Sequence, residues 1–511
     1  MEALFRTLRR AHIRRGSLYL AWDFTVSSRR SLSERLLTIR NQAFAELGDR
    51  NLKDLRVAGA APHYAIDSVR NFSSGPVLRE VHGRVTVPCF LNRPGCPAGS
   101  RFRLDRRGLP VRIAGNTTQA RFICVVPRSA SAAHPALPVL FGHGLFQDAS
   151  AVLGGTGTAF AALGGLPCAT DWTGLSTADV GAVADVAQEL SRFPTVPDRL
   201  QQALVNFMYL GRLMIHPQGL GANPLFRSGG GPAIDAGALS YLGGSLGGIE
   251  GGALSAVAPD FTHAALAVPA MNFSLLLPRS TDAAPLLRGR QPLLPDPLTS
   301  PLILSMTELL WERGEANAYA WHLTRSPYPN TPRHRVLLHE AFGDHRVGGV
   351  ATEVEARTIG ARLRTPSLDP GRSRDRRPFY RIERIPGIPY RGNALVVWDI
   401  GPLRAGGTLG TPPPPTTNTP NRAGVDPHSI TAFEPTAGLQ FLDFLRPGGA
   451  FVDTWGLSLL RGGLDRSLAR RPRAAARPPS RPAEGQPGSS ASRRSRKRRS
   501  ASELTSSSAR R

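Results

Sequence analysis

Hydrophobic periodicity divides the chain into an irregular amino-terminal stretch and a long, regularly alternating remainder. In MEALFRTLRRAHI (1–13), Leu4, Phe5, Leu8 and His12 fall at helical spacing with arginines between them, which predicts a helix. LYLAWDFTV (18–26) has the β-branched and aromatic content of a strand. Ser31 followed three residues later by Glu34 reads as a capping box opening a helix to about Leu47. VHGRVTVPCFL (81–91) and ARFICVVP (120–127) read as strands on either side of a turn-rich stretch.

From residue 137 onward the pattern switches to short, nearly continuous apolar runs separated by helical segments. The runs are LPVLFGHG (137–144), PCATDW (167–172), ALSYLGGS (238–245), HAALAVPAM (263–271), RVLLHEAF (335–342) and ALVVWDI (394–400). Helical spacing lies between them at 158–166, 179–193, 196–214 and from Ser245 to about Val257. Strands apolar on both faces, alternating with helices, predict a mostly parallel sheet covered on both sides, an α/β fold. Three segments interrupt it. Residues 273–333 are apolar and proline-rich and are expected to form a cap; 403–424, with TPPPPTTNTP, reads as a stiff loop; 461–511 has no hydrophobic periodicity and reads as a disordered basic tail. The expected organisation is an amino-terminal α+β region at 1–133 that contributes the first strands, a catalytic domain at 134–460, and the tail.

Composition changes this picture little. A chain of 511 residues that is 41% hydrophobic, with only four Cys, is not a disordered polymer or a disulfide miniprotein. No apolar run approaches the roughly 18 residues that span a bilayer. The net charge of +25 raises the question of nucleic acid, yet nearly half of it sits in 461–511, and only Lys53 and Lys497 are lysines. A uniform arginine bias reflects codon composition more than phosphate contact, so nucleic-acid binding is not expected beyond a tail that sticks to polyanions. Residues 1–13 lack the continuous apolar stretch of a secretory leader, so cytoplasmic placement stays open beside export from a start further upstream. Cys89 and Cys96 flank a short loop and are read either as a disulfide or as two thiols. Without a CxxC or a partnered His, no metal site is expected.

The chemistry concentrates at the ends of the apolar runs. Gly243-Gly244-Ser245-Leu246-Gly247 is a G-x-S-x-G between a strand and a helix, the setting of a nucleophile elbow in which small neighbours relieve a strained serine backbone. Gly142-His143-Gly144-Leu145 ends an earlier strand. An oxyanion hole takes one backbone N–H from the residue after the nucleophile and one from such a loop, positions filled by Leu246 and Leu145. His143 itself reads as a loop-shaping residue. An acid and a base are then expected later, in that order. Asp344 lies in GDHRV after one strand and His428 in DPHS after another, with Glu340 and Asp426 as competing acids and His339 and His345 as competing bases. Asp171-Trp172 reads as loop-shaping, Glu250 as structural, and Arg199 with Gln201 and Gln202 as a solvated or interdomain helix face.

Taken together, GHG, GGSLGG, GDHRV and DPHS in this order resemble the α/β-hydrolase fold. More narrowly, FGHGLF, TDWTGLSTADV, FPTVPDRLQQ and LLHEAFGDHRV resemble large bacterial hydrolases of the virulence-factor lipase or esterase type, over roughly residues 15–455. The resemblance implies a Ser245, Asp344, His428 triad, no metal or organic cofactor, and a small-molecule or lipid ester as substrate. A peptidase on the same fold and a catalytically silent binding protein are the alternatives.

Overall fold

The computed structural model describes residues 2–18, 21, 23, 26–284, 296, 298–399, 417–429 and 434–454. The expected strand at 18–26 falls largely outside them, as do most of the proline-rich loop, residues 285–295 of the expected cap, and the whole tail. The chain divides into Met1–Leu459 and Leu460–Arg511, and only the first unit is described below.

Helix α1 (Glu2–Arg10) is followed by α2 (Arg29–Glu46). The α2 cap is Ser28, whose hydroxyl accepts the Ser31 N–H at 3.1 Å. The expected Ser31–Glu34 capping box does not form: the chain is already helical at Arg29, and Glu34 pairs with Arg30 instead. Three strands come next, β1 (Tyr64–Asn71), β2 (Val77–Pro88) and β3 (Thr117–Pro127). Then strands and helices alternate: β4 (Leu137–Gly142), α3 (Gly155–Ala162), β5 (Gly165–Thr170), α4 (Val180–Gln188), α5 (Thr195–Ile215), β6 (Ser240–Gly244), α6 (Leu246–Val257) and β7 (His263–Ala267). The series closes with α7 (Thr299–Trp311), β8 (Arg335–Ala341), α8 (Gly349–Ile359), β9 (Arg362–Leu363), β10 (Ala394–Trp398) and α9 (Pro435–Leu445).

These strands form one sheet in the order β1-β2-β3-β5-β4-β6-β7-β8-β10-β9. β1, β2, β3 and β5 pair antiparallel in turn, and every pairing from β5 through β4 to β9 is parallel. Alternate side chains serve opposite layers, as strand periodicity requires. Leu140, Leu266 and Leu338 pack towards α5 and α6, while Val139, Ala265 and Leu337 pack towards α3 and α9. An antiparallel edge that leads through one crossover into parallel strands, with helices on both faces and an elbow after β6, is the α/β-hydrolase fold.

Helix α5 is buried along its whole length because the amino-terminal region covers the side turned away from the sheet. Of the two expectations for this face, solvated or interdomain, the solvated one does not hold: the face is internal and meets the amino-terminal region. Arg199 pairs with Asp179 at 2.7 Å and donates to the Cys96 and Pro97 carbonyls. Gln202 accepts from the Phe90 N–H and donates to the Pro88 carbonyl, both at 3.0 Å. Such polar groups are tolerable in a core only because each has partners. Arg212 does the same further along, between Asp49 at 2.9 Å and Asp260 at 2.8 Å.

Two disulfides tie this arrangement together. Cys89–Cys96 closes the loop beneath Arg199, and Cys124–Cys168 joins directly paired positions of β3 and β5.

Candidate active site

Strand register brings the chemistry to one place. Gly142 pairs with Gly243, Gly244 with Ala267, and Ala341 with Trp398, so the carboxyl ends of β4, β6, β7, β8 and β10 open side by side. In parallel sheets that edge is where ligands bind.

Ser245 occupies the junction of β6 and α6 with φ 57° and ψ −121°, a left-handed value that L-residues adopt at a cost. Its N–H is held by the Ala267 carbonyl at 3.0 Å. The glycines around it are required by contact. A Cβ on Gly243 would lie 2.2 Å from the Gly247 carbonyl oxygen, and one on Gly247 would lie 2.2 Å from the Gly142 carbonyl oxygen. The helix thus starts directly against β4, and Leu246, its first residue, has an N–H with no intrahelical partner.

Asp344 follows β8 and is buried. One oxygen accepts the Arg346 and Val347 N–H groups at 2.8 and 2.9 Å, which leaves the other to face Nδ1 of His428 at 2.7 Å. Burial opposes protonation of His428, but the Asp344 carboxylate beside it, with Asp426 further off, outweighs this and raises its pKa above the ordinary 6.5. His428 and Ser245 line one cavity of about 410 Å³. Leu145 is also in its wall, and the Leu145 N–H meets no acceptor among the described residues. The Leu246 side chain is turned into the core.

The competing candidates have other tasks. Asp426 accepts the N–H groups of His428 and His345 at 3.1 and 3.2 Å and the Arg346 Nε at 3.0 Å, so it joins the two loops. Glu340 is buried and its pKa is driven upward by that burial. His339 is buried against Gln440 at 2.7 Å, and its pKa is pushed down to about 3. His345 contacts the Ala423 carbonyl at 3.2 Å. None of these four is in the cavity wall.

Local sequence pattern does not mark Asp282, Arg346, Gln147 or Phe441 as cavity residues, although all four line it. Arg346 stands within the GDHRV motif; the other three carry no local signature. From 273–333, Asp282 is the sole contributor to the wall among the described residues. The end of that segment is core rather than cap, with Ala316, Tyr319 and Leu323 fully buried. Its helix α7 exposes Leu302, Met306 and Leu309, whereas Leu276 is buried and Leu275 and Leu277 pack against the core. Among the described residues no helix is long and apolar enough to cross a membrane, and no cluster of three or more His, Cys, Asp or Glu is arranged to hold a metal.

No family model matches this chain, and no curated protein matches it in sequence. Solved structures with a similar arrangement include an acetyl xylan esterase from Paenibacillus sp. R4, at 11% identity and TM-score 0.36, covering 63% of this chain and 82% of that one. Acetyl xylan esterase 1 from Thermoanaerobacterium sp. JW/SL YS485 matches at 12% identity and TM-score 0.36, over 66% and 90% of the two chains. A puromycin-hydrolyzing peptidase from Mycobacterium tuberculosis matches at 16% identity and TM-score 0.32, over 59% and 40%.

Proposed function

We propose that the protein is a serine hydrolase that cleaves carboxylic esters through an acyl-enzyme. The observation that carries this reading is the pairing of a strained Ser245 with His428 in one cavity, while Asp344 holds the far side of the imidazole. With Nδ1–H fixed on Asp344, His428 presents a basic Nε2. It takes the Ser245 proton as the hydroxyl attacks the carbonyl, and returns it to the leaving alcohol. It then activates water to release the acid and free the serine. The N–H groups of Leu246 and Leu145 receive the oxyanion. Every step is proton transfer and acyl transfer, so the mechanism calls on no metal or organic cofactor.

Phe141, Leu145, Leu242, Val268 and Phe441 give the cavity an apolar portion for an acyl or aryl group. A lipid ester of the virulence-factor lipase type is the narrower version of the same reading. The test is a series of p-nitrophenyl esters from short to long acyl chains, run beside p-nitroanilide peptides. Saturable ester turnover with negligible amide cleavage supports an esterase. Comparable or faster amide cleavage makes the protein a peptidase, and turnover of neither substrate refutes hydrolysis at this site.

A further inference from the structure

We propose that His143 is a positioning residue for the oxyanion site, holding the Gly144 carbonyl so that the Leu145 N–H is aimed at the reacting group. The inference rests on the ester-hydrolase reading and adds a residue to it.

His143 is buried, and both ring nitrogens are engaged. Nε2 lies 2.8 Å from the Trp172 backbone nitrogen, which carries a hydrogen, so Nε2 must accept. The single proton of the neutral ring is then on Nδ1, and it is donated to the Gly144 carbonyl at 2.8 Å. Burial lowers the His143 pKa and keeps the ring in this neutral form. One neighbouring backbone thereby fixes the tautomer that grips another.

The grip matters because of what shares that peptide. The Gly144–Leu145 bond is not among the cis peptides, and in a trans peptide the C=O and N–H point in opposite directions. Turning the Gly144 oxygen to His143 therefore turns the Leu145 N–H away from the histidine. That N–H has no acceptor among the described residues, and Leu145 is in the wall of the cavity that Ser245 lines.

The local turn is poorly suited to keep this orientation unaided. Gly144 O also accepts the Gln147 N–H, but at 3.2 Å. Two residues into the turn, Phe146 sits at φ 54°, a left-handed conformation unfavourable for a non-glycine residue. External bonds offset this cost. The Leu175 carbonyl holds the Phe146 N–H at 3.0 Å, Thr177 Oγ1 holds the Phe146 carbonyl at 2.8 Å, and His143 holds Gly144. Of the three, only His143 acts on the peptide that carries the Leu145 N–H.

Two substitutions separate this role from simple packing, because each keeps one half of the ring's bonding. His143→Asn places an amide N–H where Nδ1 sits, retaining the donor to Gly144 and losing the acceptor for Trp172. His143→Gln reaches to the Nε2 position, retaining an acceptor for Trp172 and losing the donor to Gly144. Both are measured in the full chain for kcat and KM on p-nitrophenyl butyrate and for thermal midpoint, with Ser245→Ala as reference. The expected result is an Asn variant within about fivefold of the parent kcat. The Gln variant falls about 10²-fold in kcat with little change in KM, as for loss of an oxyanion donor. Equal losses that track the thermal midpoints, or the reverse order of the two variants, would overturn the proposal. Absence of Ser245-dependent turnover in the parent protein would overturn the ester reading itself, a result distinct from turnover in which the two variants behave alike.

Discussion

Oδ2 of Asp344 and Nδ1 of His428 meet at 2.7 Å although 84 residues separate them in sequence, while Asp426, two residues from His428, bonds only its backbone N–H. Proximity in the chain and contact with the imidazole thus point to different acids. Asp344→Asn is expected to lower kcat by about 10⁴, because an amide that donates to Nδ1 favours the wrong tautomer. Asp426→Asn should lose far less, since it alters a tie between loops. Steady-state kinetics of the two variants decide, and a greater loss in Asp426→Asn would transfer the acid's role.

The pH dependence follows from His428. The base must be neutral to take the Ser245 proton, and its pKa is raised above 6.5 by the neighbouring Asp344 carboxylate. Activity should therefore be fully present at high pH and fall as pH drops through that raised value. A profile of kcat/KM against pH should show an acid limb with its midpoint above 6.5. A midpoint well below 6.5 would contradict the pairing. The linked effect on stability runs the other way: the Asp344–His428 contact contributes most below the unfolded pKa and is lost as pH rises through the folded one.

Gly247→Ala should be among the most damaging single-methyl substitutions in the protein. Its Cβ would lie 2.2 Å from the Gly142 oxygen and 2.5 Å from the Gly142 carbonyl carbon, backbone atoms that cannot turn aside. A loss of about 3 kcal/mol or more in unfolding free energy, together with loss of turnover, is expected. Gly181→Ala in α4 has nothing within 4 Å of the added methyl and should be neutral or slightly stabilising. Denaturant titration of the two variants checks the contrast.

The two disulfides should contribute unequally. On a loop-entropy account, Cys124–Cys168, with a sequence separation of 44, contributes about 4 kcal/mol, and Cys89–Cys96, with a separation of 7, about 2 kcal/mol. Replacing the first pair by alanine should accordingly lower the denaturation midpoint more than replacing the second. Four titratable thiols in the native protein would show that neither bridge forms.

Much of the architecture was legible in the sequence because parallel strands buried on both faces are short, continuous apolar runs, and β4, β6, β7, β8 and β10 all carry that signature. The elbow was legible for a similar reason: the clash limits at Gly243 and Gly247 restrict those positions to one residue type. What local pattern could not show was partnership at long range. Arg199 and Gln202 fit a solvated or an interdomain helix face equally well until the amino-terminal region is laid over them. Cys124 and Cys168 become neighbours only through the β3–β5 pairing. Ser28, not Ser31, is the cap because the helix begins three residues earlier than the Ser31–Glu34 spacing indicates. Asp282 reaches the cavity from the apolar segment 273–333, where no local pattern marks it.

Activation of a Ser245 nucleophile by His428 can be read directly by covalent labelling. The native protein is treated with diisopropyl fluorophosphate, digested, and read by mass spectrometry. One phosphoryl adduct per chain is expected, on Ser245 itself. Ser245→Ala should carry no adduct, and labelling should slow by orders of magnitude in His428→Ala. No adduct in the folded parent protein, or undiminished labelling of Ser245→Ala, would contradict a nucleophilic Ser245.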